Sequence, residues 1–418
     1  MGFLTPLLAL VPVSLALAFG LLVSRLPPPA TFARLASAEN PWVREARFWR
    51  PVCNGVQCGL CPFKCFLPEG GRGRCRVRMN VGGELKTLVY GKPVSVHVDP
   101  IEKKPVFHLE PGSWVYSLAT AGCNLRCTGC QNWEISQAWP EQSPPSTLVP
   151  AGLELFRAGD GGVYGRMTQK ELAFVSPEEI VRGALATRSR AVAYTYSEPV
   201  VFYEYMFDAA KLAREKGLRN VMVTGGYIEP GPLAALAPYM DVVKVDLKGF
   251  DERFYRDFAG GELRFVLRTL ERLKEYGVLT EVVNLVVPTR NDRPEDLRRL
   301  SAWVREKLGA DTPLFFTRFS PNYRLQNLPG TPADTLALAR SLALTEGLRF
   351  VYVGNAPGDP GENTYCPKCG RVLVRRAGFA VLENLLAATG AGGRCPFDGT
   401  RIPGLWTPAQ RPHPVVTP

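Results

Sequence analysis

From about residue 112 onward, short β-branched or aromatic runs alternate with longer stretches whose apolar residues recur at helical spacing. The runs Trp114–Ala119, Ala191–Tyr196, Asn220–Thr224, Asp241–Asp246, Thr280–Val287, Pro313–Arg318 and Phe350–Gly354 read as strands. Helix ends are written between them. Ser176-Pro177-Glu178-Glu179 supplies an N-cap, a first-turn proline and a capping-box acid, and Thr331-Pro332-Ala333-Asp334 carries a similar signature. Gly217, Gly277 and Gly347 stand where helices should stop, because glycine takes the left-handed cap conformation without penalty. Strands alternating with helices give parallel βαβ units, hence an α/β fold. The predicted architecture is a partial (β/α)6-type parallel barrel with its active site at the carboxyl ends of the strands. A doubly wound sheet fits the same alternation.

The pattern breaks in five places. Residues 1–25 contain the uncharged, mostly apolar run Phe3–Val23, long enough to cross a bilayer as a helix. Arg25, Arg34, Arg44, Arg47 and Arg50 follow it and no basic residue precedes it, which favours a membrane anchor facing the cytoplasm over a cleaved signal. Residues 26–50 read as a linker and 51–111 as a cysteine-, glycine- and arginine-rich module. Within the main domain, 112–358, an irregular insertion is expected at about 138–175, where proline and glycine cluster. Residues 359–418 form a cysteine-bearing C-terminal module and tail.

Composition narrows the chemistry. Among 418 residues, 46% are hydrophobic, enough for a sizeable core, and the net charge of +11 is mostly dispersed. Apart from Arg72, Arg74, Arg76 and Arg78 no basic block appears, so a solvated basic surface is a better reading than a nucleic-acid patch. Three histidines leave little material for a Ser-His-Asp triad or imidazole-bound metal. The 11 cysteines fall into tight knots separated by long gaps, which suits thiolate metal centres better than disulfides.

The central knot is Cys123-Asn124-Leu125-Arg126-Cys127-Thr128-Gly129-Cys130, a C-x3-C-x2-C spacing on the loop after the first predicted strand. Three thiolates can hold three irons of a cubane and leave the fourth iron open. A zinc site would want a fourth ligand, and three buried thiols are the other alternative. In the first knot Cys58, Cys61, Cys65 and Cys75 could close around zinc or hold an auxiliary cluster, with Cys53 spare. In the last, Cys366-Pro367-Lys368-Cys369 and Cys395-Pro396-Phe397-Asp398 look like two zinc-ribbon knuckles. Asp398 stands where a cysteine is usual, and His413 is a second candidate for the fourth ligand.

The central motif, placed after the first strand of a β/α domain, resembles the radical S-adenosylmethionine superfamily. The wider pattern resembles the branch that contains pyruvate formate-lyase activating enzyme, and more closely the radical enzyme of the AmmeMemoRadiSam system. The stretches that carry it are Val56-Gln57-Cys58-Gly59-Leu60-Cys61-Pro62, Tyr90-Gly91-Lys92-Pro93, Asp99-Pro100-Ile101-Glu102-Lys103-Lys104-Pro105, Ala193-Tyr194-Thr195-Tyr196-Ser197-Glu198-Pro199, Val245-Asp246-Leu247-Lys248-Gly249 and Val351-Tyr352-Val353-Gly354-Asn355-Ala356-Pro357-Gly358. The resemblance implies a 4Fe–4S cluster on Cys123, Cys127 and Cys130 whose open iron binds S-adenosylmethionine, and a 5′-deoxyadenosyl radical that takes hydrogen from a protein or a small molecule. It implies that Glu198 holds the methionine amino group and that Asp246 and Lys248 lie beside the cofactor. Thr224, Gly225 and Gly226 form a turn where backbone can approach it, with Asn284, Arg318 and Asn355 as further cofactor-binding candidates, for which buried structural hydrogen bonding is the alternative. A reductant such as flavodoxin or ferredoxin would be the partner. A non-catalytic zinc-binding adaptor, for nucleic acid or otherwise, is the rival from another class; it would leave Cys123, Cys127 and Cys130 one ligand short.

Overall fold

The computed structural model describes residues 40–146, 148–157, 163–388, 392–406 and 415–416. The apolar run Phe3–Val23 and His413 lie outside the described residues. Among those described, no helix is long and apolar enough to cross a membrane.

One eight-stranded sheet organises the chain. Its strands are β1 (Ser95–Pro100), β2 (Trp114–Ala119), β3 (Ala191–Tyr194), β4 (Arg219–Thr224), β5 (Val242–Asp246), β6 (Leu279–Val286), β7 (Leu314–Arg318) and β8 (Val351–Gly354). They lie side by side in chain order, β2 to β8 parallel and β1 antiparallel at the edge against β2. The predicted α/β fold is present, and each of the seven predicted strands falls on an observed one within two residues. The crossovers carry helices α1 (Pro177–Ala186), α2 (Tyr203–Glu215), α3 (Pro230–Leu236), α4 (Leu263–Glu275), α5 (Pro294–Trp303) and α6 (Ala333–Thr345). Ser176 caps α1 as its sequence requires, its hydroxyl accepting the Glu179 N–H at 3.3 Å. Thr331 does not cap α6. Its hydroxyl instead donates to the Val286 carbonyl at 2.6 Å and accepts the Phe319 N–H at 2.8 Å, tying β6 to the loop after β7.

The two faces of the sheet build two different cores. Outward residues such as Tyr116, Leu118, Val192 and Tyr194 join the helices in the main core. Inward residues near the amino ends, including Val115, Ala191, Ala193, Val221 and Val242, pack on Ile101, Val106 and Leu109, so the segment after β1 stoppers that end of the curved sheet. On the β6–β8 side, inward-facing Val283, Phe315 and Tyr352 pack with Phe107 and with Leu373, Val374 and Leu386 of the C-terminal module. That module is a three-stranded antiparallel sheet, Thr364–Tyr365, Val372–Ala377 and Ala380–Asn384. It therefore supplies part of the interior and is not a detached appendage.

Two expected boundaries move. The cysteine-rich module begins inside the expected linker: Arg44–Glu45 pairs with Glu84–Thr87, and Trp49–Val52 with Gly55–Cys58. The stretch expected to be irregular contains an antiparallel hairpin, Leu148–Arg157 against Val163–Glu171. Its alternating strands are short of the β-branched residues that mark the barrel strands, and a bulge between Thr168 and Gln169 interrupts the ladder near Pro150.

Candidate functional site

At the carboxyl ends of the parallel strands lies a cavity of about 600 Å³. The loop after β2 brings Cys123, Cys127 and Cys130 to its wall. Backbone pairing fixes this loop: Arg126 N–H donates to the Ala259 carbonyl at 2.8 Å and Thr128 N–H to that of Phe258 at 2.9 Å. The Asn124 amide donates to the Tyr227 carbonyl at 2.8 Å. Two of the sulfurs already have polar neighbours, the Leu125 N–H at 3.3 Å from Cys123 and the Ser136 hydroxyl at 3.2 Å from Cys130. Burial pushes the Cys123 thiol well up, Glu198 and Cys127 adding to it, and burial takes Cys127 to about 12 although Lys248 opposes the rise. Thiols in such a setting ionise when a metal takes the proton's place.

Glu198 follows β3 and is buried at the cavity wall. Its carboxylate accepts from the Thr224 hydroxyl at 2.6 Å, the Gly225 N–H at 2.8 Å and the Val200 N–H at 3.2 Å. Burial outweighs these donors and raises its proton affinity. Among the described residues no basic side chain lies within ion-pair distance of it. Gly225 has a steric reason to be glycine: a Cβ there would stand 2.8 Å from the Leu125 Cδ1 and 3.2 Å from the Glu198 Oε2.

Asp246 ends β5 between two lysines. Lys248 Nζ donates to its Oδ2 at 2.7 Å and Lys244 to its Oδ1. Burial would raise the Asp246 carboxyl, but Lys244 and Lys248 hold it down at about 2, so it is ionised. Lys248 in turn faces Cys127. Beside both lies the buried hydroxyl of Tyr255. A donor set of three thiols, with a lysine turned toward one of them, fits an anionic thiolate-bound cluster.

Of the predicted cofactor-binding residues, Glu198, Thr224, Gly225, Asp246 and Lys248 meet in this cavity, while Gly226, Asn284 and Arg318 do not line it. Gly226 turns the chain at φ +72° and faces Val245 and Val266. On β6 and β7 the cavity face belongs to Val283, Leu285 and Thr317. Side chains alternate along a strand, so Asn284 points away, donating to the Leu247 carbonyl at 2.8 Å, and Arg318 is exposed.

The opposite wall holds Lys104, Tyr196 and Phe379, which motif reasoning did not single out, and the candidate Asn355. Tyr196 and Lys104 both reach Asp99, the lysine at 2.6 Å. Burial drops Lys104 to about 8 although Asp99 opposes it. Tyr196 and Asn355 both line the cavity in left-handed backbone, at φ +61° and +58°, strain of a kind that collects at functional sites. Phe379, 51% exposed, reaches the rim from the turn of the C-terminal hairpin. The quoted stretches Asp99–Pro105 and Ala193–Pro199 contained most of this signal. Their convergence needed the fold.

The C-terminal cysteines form a different kind of centre. Among the described residues, the ligand atoms of Cys366, Cys369, Cys395 and Asp398 gather within 4.8 Å of one another. Cys369 and Cys395 sulfurs are 3.8 Å apart, and Asp398 Oδ2 is 3.4 Å from the Cys366 sulfur. Tetrahedral zinc with Zn–S bonds near 2.3 Å requires sulfurs about 3.8 Å apart, so these residues fit that ion. Cys58, Cys61, Cys65 and Cys75 are also close enough to perturb one another, but no three of their sulfurs gather within that span.

Residues 117–301 match the family described as the radical SAM superfamily. The chain is 44% identical over 362 residues to an uncharacterized protein of Methanocaldococcus jannaschii, covering 86% of this chain and 99% of that one. This chain belongs to the radical SAM superfamily. It is also similar to the pyruvate formate-lyase-activating enzyme of Clostridium pasteurianum, 26% identical over 184 residues, covering 44% of this chain and 66% of that one. A solved radical SAM methyltransferase from Sphaerobacter thermophilus aligns with a TM-score of 0.38 at 13% identity, over 56% of this chain and 83% of that one.

Proposed function

We propose that this protein cleaves S-adenosylmethionine reductively to make a 5′-deoxyadenosyl radical, which abstracts hydrogen from a protein or small-molecule substrate in the manner of an activating enzyme. The observation that carries this reading is Glu198: a buried carboxylate with three fixed donors and no cationic partner among the described residues, facing Cys123. An N–H donor such as an amino group is the complement such a site lacks. When bound on Cys123, Cys127 and Cys130, a 4Fe–4S cluster supplies one electron to the sulfonium and an open iron for the amino and carboxylate groups of S-adenosylmethionine.

The chain's own residues do the rest. The Thr224 hydroxyl and Gly225 N–H hold the Glu198 carboxylate in one orientation for the amino group, and the absence of a side chain at Gly225 keeps the approach open. Asp246, kept ionised by Lys244 and Lys248, offers an acceptor beside the same site. His97, Lys103, Lys104 and Phe379 face the remaining space, where the hydrogen donor would enter. A flavodoxin- or ferredoxin-type protein serves as reductant.

Titrating S-adenosylmethionine against anaerobically reconstituted protein tests the Glu198 assignment. Glu198→Gln should weaken binding about 10- to 100-fold, the loss of one charged hydrogen bond of about 1.5–3 kcal/mol, with iron content unchanged. Undiminished affinity in that variant would remove Glu198 from the site.

A further inference from the structure

The mechanism leaves unused the four thiols Cys58, Cys61, Cys65 and Cys75. They converge on one cradle. Cys58 N–H donates to the Cys65 carbonyl at 3.0 Å, and a Cβ at Gly73 would stand 3.5 Å from the Cys75 sulfur and 3.9 Å from that of Cys65. Each sulfur has its own N–H donor: Arg78 Nη1 at 3.6 Å from Cys58, Arg74 N–H at 3.5 Å from Cys65, Phe63 N–H for Cys61 and Val77 N–H for Cys75. Donors aimed at cluster sulfurs are one of the means by which a protein sets a reduction potential. Arg78, buried and paired with Glu204, adds a fixed positive charge beside a set that carries negative charge once its thiols ionise.

Spacing decides between metals. A single zinc ion draws its sulfurs to about 3.8 Å, as in the C-terminal set, whereas a cubane gives each thiolate its own iron and spreads them further. No three of these four sulfurs lie within 4.8 Å of one another, nor do those of Cys123, Cys127 and Cys130, whereas the ligand atoms of the C-terminal set do. The two wide sets also touch. Arg126, inside the central loop, donates to the Arg74 carbonyl, and Arg74 Nε donates to the Asn124 carbonyl at 3.2 Å. At Gly122 the loops are so close that a Cβ would lie 2.7 Å from the Cys75 carbonyl oxygen.

We infer that Cys58, Cys61, Cys65 and Cys75 hold a second 4Fe–4S cluster that relays single electrons to the Cys123–Cys127–Cys130 centre. A reduced ferredoxin- or flavin-type protein gives one electron to the N-terminal cluster and is itself oxidised by one. The same electron then crosses the Arg74–Arg126 contact, returning the N-terminal cluster to its oxidised state. No bond or proton moves in either transfer. The relay role rests on the function proposed above; the presence of the cluster does not.

The full chain carrying Cys123→Ala, Cys127→Ala and Cys130→Ala, reconstituted anaerobically, should keep about four irons and four sulfides. Adding Cys58→Ser and Cys61→Ser should bring both to background. A triple variant without iron, holding zinc at about two per chain instead of one, overturns the site. With Cys58→Ser and Cys61→Ser alone, S-adenosylmethionine binding and dithionite-driven 5′-deoxyadenosine formation should persist, while turnover from a reduced flavodoxin falls at least tenfold. Equal turnover from that donor overturns the relay.

Discussion

The cysteines of the C-terminal module and those of the loop after β2 belong to the same chain but to different chemical regimes. Cys366, Cys369, Cys395 and Asp398 sit on two matching turns, closed by Gly370 N–H to the Cys366 carbonyl at 3.0 Å and Gly399 N–H to that of Cys395 at 2.9 Å. Their ligand atoms crowd to a distance one ion can span, and four donors leave no coordination site open. Cys123, Cys127 and Cys130 are three, do not gather within that 4.8 Å span, and border a cavity with a carboxylate that has no cationic partner among the described residues. The first arrangement has the geometry of a closed structural site; the second leaves room for a ligand. The C-terminal module still reaches the cavity of the second set, because its hairpin places Phe379 on the rim.

The largest expected effect separates the two directly. Cys127→Ala should abolish 5′-deoxyadenosine formation and remove about four irons per chain, with zinc unchanged, as metal analysis would register. Cys366→Ser should do the converse: about one zinc per chain lost and a lower Tm, with iron at the central loop retained. Unchanged zinc in that variant would end the distinction.

Gly225→Ala should leave both metals in place and weaken S-adenosylmethionine binding about tenfold, since the added Cβ presses on Leu125 and Glu198. The smallest effect belongs to a region with no cysteine. At the amino ends of the strands, Glu110 accepts from Arg190 and Arg219, each at 2.9 Å. Burial would raise its carboxyl, but these arginines hold it below the ordinary glutamate value. A depressed carboxyl stabilises the fold above its unfolded value, near 4.5, and the contribution is lost as pH falls through the lower folded value. Glu110→Gln should therefore cost about 1–2 kcal/mol at pH 7 and progressively less below pH 4, read by urea denaturation, with neither metal altered.

The barrel was legible because its strands are buried on both faces and so stand out as β-branched runs between capped helices. The edge strand Ser95–Pro100 was not, since it is antiparallel and carries His97, Asp99 and Pro100. The central cysteines stood out by their spacing and by their place after the first predicted strand, which puts them at the cavity wall. Asn284 and Arg318 were misplaced by a single position each, because strand periodicity fixes alternation but only the fold fixes which residues face inward. The plug formed by the C-terminal module and the meeting of Asp99, Lys104 and Tyr196 join residues far apart in sequence, which local pattern does not encode.

The most direct measurement is the yield of 5′-deoxyadenosine and methionine from the full chain, reconstituted anaerobically with iron and sulfide, reduced with dithionite and given S-adenosylmethionine. Both products should form in equal amounts, and Cys127→Ala should yield neither. A chain with its central cluster loaded that forms no 5′-deoxyadenosine, or a Cys127→Ala chain that forms as much as the parent, would contradict the account.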